Sequence, residues 1–577
     1  MTATTAISAG LTAGLDWRRL VRVGLVAGIV ALYLCLVGIV DTFSPRALIA
    51  DVISLGQTAL VLSGVAAGFL ATRGRSLAIG PAAVAGLLAG AVAGAVPAAL
   101  MAVSSVVDVR VVFLHASATT FDVLSLGLGL GGLWVPIVVL GLVGAATGAI
   151  LASPKVVREA ATSTLLWLLM LGLFAGLLRP PLLASPLAQF GRFMFASDGL
   201  TVFGAIVAVL VVAGGRLLRE RVGARERIAA LTPERRKTLR PIVIVLGLLL
   251  IIWLPQGVGP FVAQVVAVVT LYILMGLGLN ITLGLAGLLD LGFVAFFAVG
   301  AYTVGLLTST AEFGIAHWPF WAAVPFAIVF AMLFGAFFGL PILGIRGDYL
   351  AIATLGFGEI IRILAGSDLL KTWLGGPQGI INIPKPIDVP INSVLSGPLQ
   401  IYYIGLIAAV VVAFVAIRLR ASRLGRAWLA IREDEDVAEA LGINLVRTKL
   451  LAYILGAAFA GLGGAIFAGL FGSIFATSVT LFVSINVAAL IIVGGMGSIP
   501  GVVVGAIFLI GIPELFREFS EYRFLFYGIA LIATMRFRPE GLLPSRIVQR
   551  ELHVPDEEVP ISDDIEGAGE LAPGAAG

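Results

Sequence analysis

The sequence predicts an all-α polytopic membrane protein, and three observations carry that class. Of its 577 residues, 59% are hydrophobic and 12% are charged, against about 25% charged in an ordinary soluble domain. The apolar residues come in runs of roughly 17–25 positions, the length a helix needs to cross a bilayer. The runs are continuous rather than alternating, and inside lipid only helices and closed barrels satisfy their own backbone groups. Helices follow.

The elements read in order. After a small, polar start, Arg18, Arg19 and Arg22 precede an apolar run to Val40, and the "VDTFSPRA" beyond it offers no small-x-small cleavage site. The run is an uncleaved first helix. Further runs lie near 49–70, 80–105, 132–152, 161–179 and 198–214. Basic residues precede the first run and follow the second (Arg73, Arg75), the fourth (Lys155, Arg158) and the sixth, with Arg110 as the exception after the third. That bias puts the N-terminus and the connection 215–240 in the cytoplasm. The connection holds nine Lys and Arg against three Glu, either a solvated hinge between two membrane domains or a lipid- or partner-binding segment. Residues 1–214 thus form an N-terminal transmembrane extension to which no motif assigns a role.

The second half runs from Pro241, with apolar stretches near 241–258, 261–283, 287–308, 319–345, 349–366 and 400–418. A charged insert occupies 418–449, and four more runs lie near 449–474, 480–496, 500–515 and 522–537. Counting crossings returns the insert and the C-terminus to the cytoplasm. The tail 546–577 is acidic and rich in small residues, a disordered composition. The single Cys35 and the scattered His115, His317 and His553 offer no disulfide and no metal site, and no phosphate-binding GxxxxGK[ST] occurs. Catalysis, a bound cofactor and nucleic-acid binding are not expected of this chain.

The insert contains "EDEDVAEALGINLVRTKLLAY" from Glu433 to Tyr453. Asp434 to Asp436 sit where a short helix begins, because carboxylates cap free amide groups and meet the positive end of the helix dipole. Val437, Ala438 and Leu441 form one apolar stripe. Gly442 stops the helix, and Asn444 caps the next. Upstream, Arg423, Arg426 and Arg432 accompany Trp428 and Ile431. The pattern is a helix-glycine-helix element outside the bilayer, either an ordinary loop with good caps or a docking surface for a soluble partner.

"EALGIN" (Glu439–Asn444) after "GRAWLAIREDEDVA" resembles, in shortened form, the cytoplasmic coupling loop of ABC importer permeases. The branched-chain amino acid permease family is the nearest likeness, in its LivM-type subunit. Also similar are "GLNITLGLAGLLDLGFVAFFAVGAYTVGLL" (Gly278–Leu307), "RGDYLAIATLGFGEIIRIL" (Arg346–Leu364), "LGGPQGI" (Leu374–Ile380), "VGGMGSIPGVVVGA" (Val493–Ala506), "IPELFREFSEYRFLFYG" (Ile512–Gly528) and "FRPEGLLP" (Phe537–Pro544). The resemblance covers about 240–545. It implies an ABC importer permease fold in 241–545, preceded by about six extra transmembrane helices. It also implies a sister permease, two ATPase subunits that use ATP, an extracytoplasmic amino-acid-binding protein, surrounding lipid and a bacterial inner membrane. Arg426, Glu439, Ala440, Gly442 and Asn444 would then couple to the ATPases. Related permeases for urea or short amides look alike, and an ATPase-independent transporter or channel is the remaining class.

A path for a zwitterion with an apolar side chain needs small residues, apolar walls and a few polar partners. Asn280, Gly284, Gly287, Asp290, Gly300 and Tyr302 fit that description, as do Asp348, Tyr349, Thr354 and Glu359. Glu359 and Arg362, three apart, are expected to pair on one helix face. The glycine-rich "GGMGSIPG" (Gly494–Gly501) reads as a tight turn, and Gly375–Gly379 as an external one.

Overall fold

The computed structural model describes residues 16–74, 77–183, 188–222, 251–253, 255–342, 344–345, 347–387, 397–515 and 522–544. The basic connection beyond Val222, the start of the seventh apolar run at 241–250 and the tail 546–577 lie outside the described residues. The chain divides into two compact units, 1–251 with 257–259, and 252–256 with 260–577. Among the described residues, eleven helices are long and apolar enough to cross a membrane.

In the first unit, α1 (Trp17–Leu36), α2 (Leu55–Thr72), α3 (Ile79–Ser104), α4 (Val135–Ala152), α5 (Lys155–Leu173) and α6 (Val202–Val222) follow the six expected runs. One boundary differs. Lys155 and Arg158 stand inside α5, because the turn after α4 is only Ser153–Pro154 and Pro154 serves as the cap. Among the described residues, the helices are joined by one two-stranded antiparallel ribbon of Ala47–Ile49 and Ile53–Ser54. Backbone proximity explains the alanine and glycine content. A Cβ on Gly86, Gly90 or Gly94 of α3 would come within 2.1 to 2.2 Å of a carbonyl oxygen on α4. Small residues at a spacing of four let membrane helices pack through van der Waals contact.

The second unit contains α7 (Pro260–Leu279), continued by a π-helical turn Asn280–Leu285, then α8 (Val294–Thr308), α9 (Phe320–Ile342), α10 (Asp348–Gly366) and α11 (Pro398–Ala421). The insert is α12 (Arg423–Glu433) and α13 (Glu435–Ala440). Then come α14 (Leu445–Phe471), α15 (Leu481–Gly494), α16 (Ile499–Ala506) with a π-turn to Gly511, and α17 (Arg523–Phe537). α14 is the central column. Gly461 meets Ala331 of α9, and Gly464 lies against the Phe297 carbonyl of α8.

Two ends can be told apart. At one, Ser309 donates to the Ile381 carbonyl and Ile380 pairs with Ile474, so the glycine turn at 375–379 packs against the far end of α14. At the other lie the insert, the π-turn of α7 and the 495–498 turn.

Candidate functional site

The insert is a clamped element. Asp434 leaves the helical conformation and its carboxylate accepts from the amides of Asp436 and Val437, starting α13. Gly442 has φ +86°, and its amide returns to the Glu439 carbonyl while Ile443 returns to Ala438. Only a residue that tolerates a left-handed backbone ends a helix this way. Asn444 then caps α14 through the Arg447 amide at 2.9 Å. The expected apolar stripe divides. Ala438 is buried, whereas Val437 and Leu441 are 55% and 75% exposed. The reason is length: with six residues, α13 turns in Ala438 and, less fully, Glu435, and leaves its longer apolar side chains outward. Glu439, Ala440 and Gly442 share that exposed side, and Arg426 is exposed on α12, donating to the Ala421 carbonyl.

Three contacts fix the insert to the membrane helices. Trp428 is fully buried and its indole N–H donates to the Thr448 carbonyl at 2.8 Å. The Lys449 ammonium, on a side chain only 4% exposed, lies 2.6 Å from Glu435 Oε1. Arg432 Nη1 donates to the Gly284 carbonyl at 2.9 Å, and its stem lies 3.0 Å from where a Cβ on Gly287 would sit. Gly287 itself has φ +70°. A guanidinium at the C-terminal end of α7 answers both an unclaimed carbonyl and the negative end of the helix dipole. The sequence places Glu435 among the capping carboxylates and Arg432 and Trp428 in the upstream helix, but gives none of them, nor Lys449, a contact. Their signal was an Arg, a Lys and a Trp within a turn or two of the capped segment.

The π-turn is a junction. The buried Asn280 accepts the Gly497 amide on Oδ1 at 2.9 Å. Gly284 faces Asn280 so closely that a Cβ would fall 2.1 Å from that oxygen. The glycine-rich turn is held from its other side as well. Leu542 and Leu543 donate to the Val493 and Gly494 carbonyls, so "FRPEGLLP" packs onto "GGMGSIPG".

Beyond the junction, Asp290 is 1% exposed and accepts the Gly292 amide at 2.9 Å. Thr354 of α10, equally buried, accepts the Leu291 amide at 3.0 Å. A Cβ on Gly292 would sit 2.1 Å from the Thr354 carbonyl. Gly300 lies against Gly461 in the same manner, and Tyr302 is buried beside it. Thus Asn280, Gly284, Gly287, Asp290 and Thr354 come together around one broken region, and Gly300 and Tyr302 lie in the packing between α8 and α14. Asp348 opens α10. Tyr349, 76% exposed, and Glu359 are on a different surface, with Glu359 held by Arg362 Nε at 2.9 Å.

Comparison with known proteins places this geometry in context. Residues 261–535 match the family described as branched-chain amino acid transport system / permease component. The high-affinity branched-chain amino acid transport system permease protein LivM of Escherichia coli (strain K12) is 38% identical over 331 residues, covering 54% of this chain and 76% of that protein. The LivM protein of Salmonella typhimurium is 40% identical over 303 residues, with 49% and 70% covered. The permease protein LivH of Escherichia coli (strain K12) is 24% identical over 288 residues, with 47% and 91% covered. No solved structure matches the chain.

Proposed function

This chain belongs to the branched-chain amino acid transport permease family, and we propose that it is the LivM-type permease subunit of an ATP-driven importer for branched-chain or related hydrophobic amino acids. It forms the pore with a sister permease. Two ATPase subunits grip the insert and supply the ATP hydrolysis, and an extracytoplasmic binding protein delivers the solute. The chain sits in a bacterial inner membrane with both termini in the cytoplasm. It is a carrier of conformational change rather than an enzyme, and it binds no cofactor.

The observation that supports this reading best is the mechanical state of the insert. A loop that merely connects two spans needs neither a buried Trp nor a buried ion pair. Here Trp428, Lys449 and Arg432 lock the element to α14 and α7, while Val437, Ala440 and Leu441 remain outward. A stiff base with an exposed apolar tip transmits a push from a soluble partner. Basic residues at the end of α11 and in α12 (Arg418, Arg420, Arg423, Arg426) agree with a cytoplasmic face.

The test is uptake of labelled leucine by cells lacking their native system, with the full chain co-expressed with its partner subunits. A Cβ on Gly442 meets nothing within 4 Å, so the cost of substitution is backbone strain alone. Asn tolerates the left-handed region, Ala costs about 1–2 kcal/mol and a β-branched residue more. Uptake should therefore fall in the order Gly442→Asn, Gly442→Ala, Gly442→Val, with the membrane level of the chain unchanged. Equal uptake for all three would remove the insert from the coupling route.

A further inference from the structure

We infer that the outward face of α10 lines the solute path, and that Glu359 and Arg362 form a two-charge station there for a zwitterion. The Glu359 carboxylate takes the ammonium group and the Arg362 guanidinium takes the carboxylate. The inference rests on the reading of the chain as an amino-acid permease and gives that permease its polar contact.

α10 has two sides. Leu350, Thr354, Phe357 and Ala365 point inward and are buried. The Phe357 ring packs on Phe296 and Phe338, which fixes the helix rotation. The opposite side presents Tyr349, Ile352 and Ile363, at 76%, 65% and 55% exposure. Gly356 lies between them, and a Cβ there would meet nothing within 4 Å. Glu359 and Arg362 stand beside this strip with side chains 37% and 33% exposed. Arg362 Nε donates to both carboxylate oxygens at 2.9 Å.

Neighbouring helices show what a lipid-facing surface of this protein looks like. The exposed side of α9 is Phe326, Val329, Phe330, Leu333, Phe337 and Leu340. The exposed side of α11 is equally apolar, from Ile407 through Phe414 to Ile417. Neither strip contains an ionisable residue before the last turn of α11, where Arg418 stacks on Phe414. α10 breaks that rule with two, and Glu359 is the twelfth residue of a nineteen-residue helix, near the middle of the span. Charges at that depth face protein or water because lipid exposure is costly. Packing among the described residues does not bury them, since both remain one-third exposed. Water between two permease subunits takes them up.

The chemistry of the pair then selects the ligand. A zwitterion replaces the internal contact with two contacts of the same signs, so no charge is stranded when it enters or leaves. The open space at Gly356 and the flanking Ile352 and Ile363 accept an aliphatic side chain. An uncharged amide would gain nothing from breaking the pair.

The experiment uses the complete transporter with Cys35, the chain's single cysteine, replaced by alanine. Ile352→Cys and Gly356→Cys are compared with Leu333→Cys on α9, using a charged, membrane-impermeant methanethiosulfonate. The two α10 positions should label, and saturating leucine should slow them several-fold, while the α9 position stays unlabelled. If the α10 positions are as unreactive as the α9 position, the pathway face is overturned. Glu359→Gln and Arg362→Gln should each raise the KM for leucine about tenfold or more. The exchanged variant E359R/R362E keeps an ion pair and should recover protein level but not KM, because it reverses the solute's orientation. Full recovery of KM by the exchange would reduce the pair to a structural contact. Labelling needs no transport, so a complex that labels at Gly356→Cys but moves no leucine would refute the cargo and leave the pathway face standing.

Discussion

Removing either partner of the Lys449–Glu435 pair should have very unequal consequences. Lys449 keeps 4% of its side chain exposed and Glu435 keeps 25%. Glu435→Ala strands an ammonium group in a dry site at the head of α14. Breaking a buried pair from one side costs about 3–5 kcal/mol, and the partial exposure of Glu435 argues for the lower end, about 3 kcal/mol. Lys449→Met leaves the carboxylate of a one-quarter-exposed side chain, which needs only a small turn to reach water, and fills the stem's volume with an apolar chain. Its cost is about 1 kcal/mol, the range of exposed pairs. Every 1.4 kcal/mol is a factor of ten. Amide exchange across residues 423–444, followed by mass spectrometry on the purified full chain, should therefore accelerate on the order of a hundredfold for Glu435→Ala and about fivefold for Lys449→Met. The double variant should resemble Lys449→Met, since no charge is left behind. If Lys449→Met opens the insert as far as Glu435→Ala, or if the two effects add, the buried ammonium is not what holds the insert.

Two further perturbations follow. Arg432→Ala should leave the Gly284 carbonyl without its guanidinium donor, costing about 1–3 kcal/mol locally and lowering leucine uptake at constant membrane level. Arg432→Lys should recover part of it, and wild-type uptake by Arg432→Ala would dismiss the contact. Gly292→Ala forces a methyl group into the Thr354 carbonyl, 2.1 Å away. Overpacking of about 2 kcal/mol should lower the melting temperature by about 5 °C; an unchanged value would mean that α8 and α10 separate freely.

Much of this architecture was legible in the sequence because bilayer crossing is a one-dimensional signal. Run length alone located the spans, and the caps of the insert could be read from Asp434, Gly442 and Asn444, whose roles are local. What could not be read was anything set by rotation about a helix axis. Val437 and Leu441 fit an inward stripe on periodicity, yet a helix of six residues is held only at Glu435 and Ala438 and leaves its other side outward. Thr354 and Glu359 share α10 and were grouped as one surface, but five residues turn the helix by well over a right angle, so one is buried and the other faces out. The contacts of Arg432 and Asn280 were out of reach for a different reason. Their partners are the Gly284 carbonyl and the Gly497 amide, and backbone groups carry no sequence signature. The π-turn that frees the first of these leaves no mark beyond "NITLGL".

The broken end of α7 is where the insert, the glycine-rich turn and α10 can influence one another. Arg432 holds the Gly284 carbonyl; Asn280, on the same turn, holds the Gly497 amide; seven residues beyond Gly284, the Leu291 amide is held by Thr354. An intact helix moved at one end shifts as a rod. A helix ended by a π-turn and a left-handed Gly287 bends at that place, so a displaced Arg432 is felt first by the segment carrying Asp290 to Gly292. Arg432 and Thr354 hold different backbone groups, and independent sites add to within about 0.3–0.5 kcal/mol. If the break transmits motion, Arg432→Ala and Thr354→Val should not add. With the break already released from the insert, loosening it from α10 should cost little more, and the double variant should retain uptake close to that of the worse single variant. A double-mutant cycle on leucine uptake, normalised to the amount of assembled complex, measures this directly. Strict additivity would mean that the two contacts are separate local braces, and that motion of the insert reaches α10 by another route.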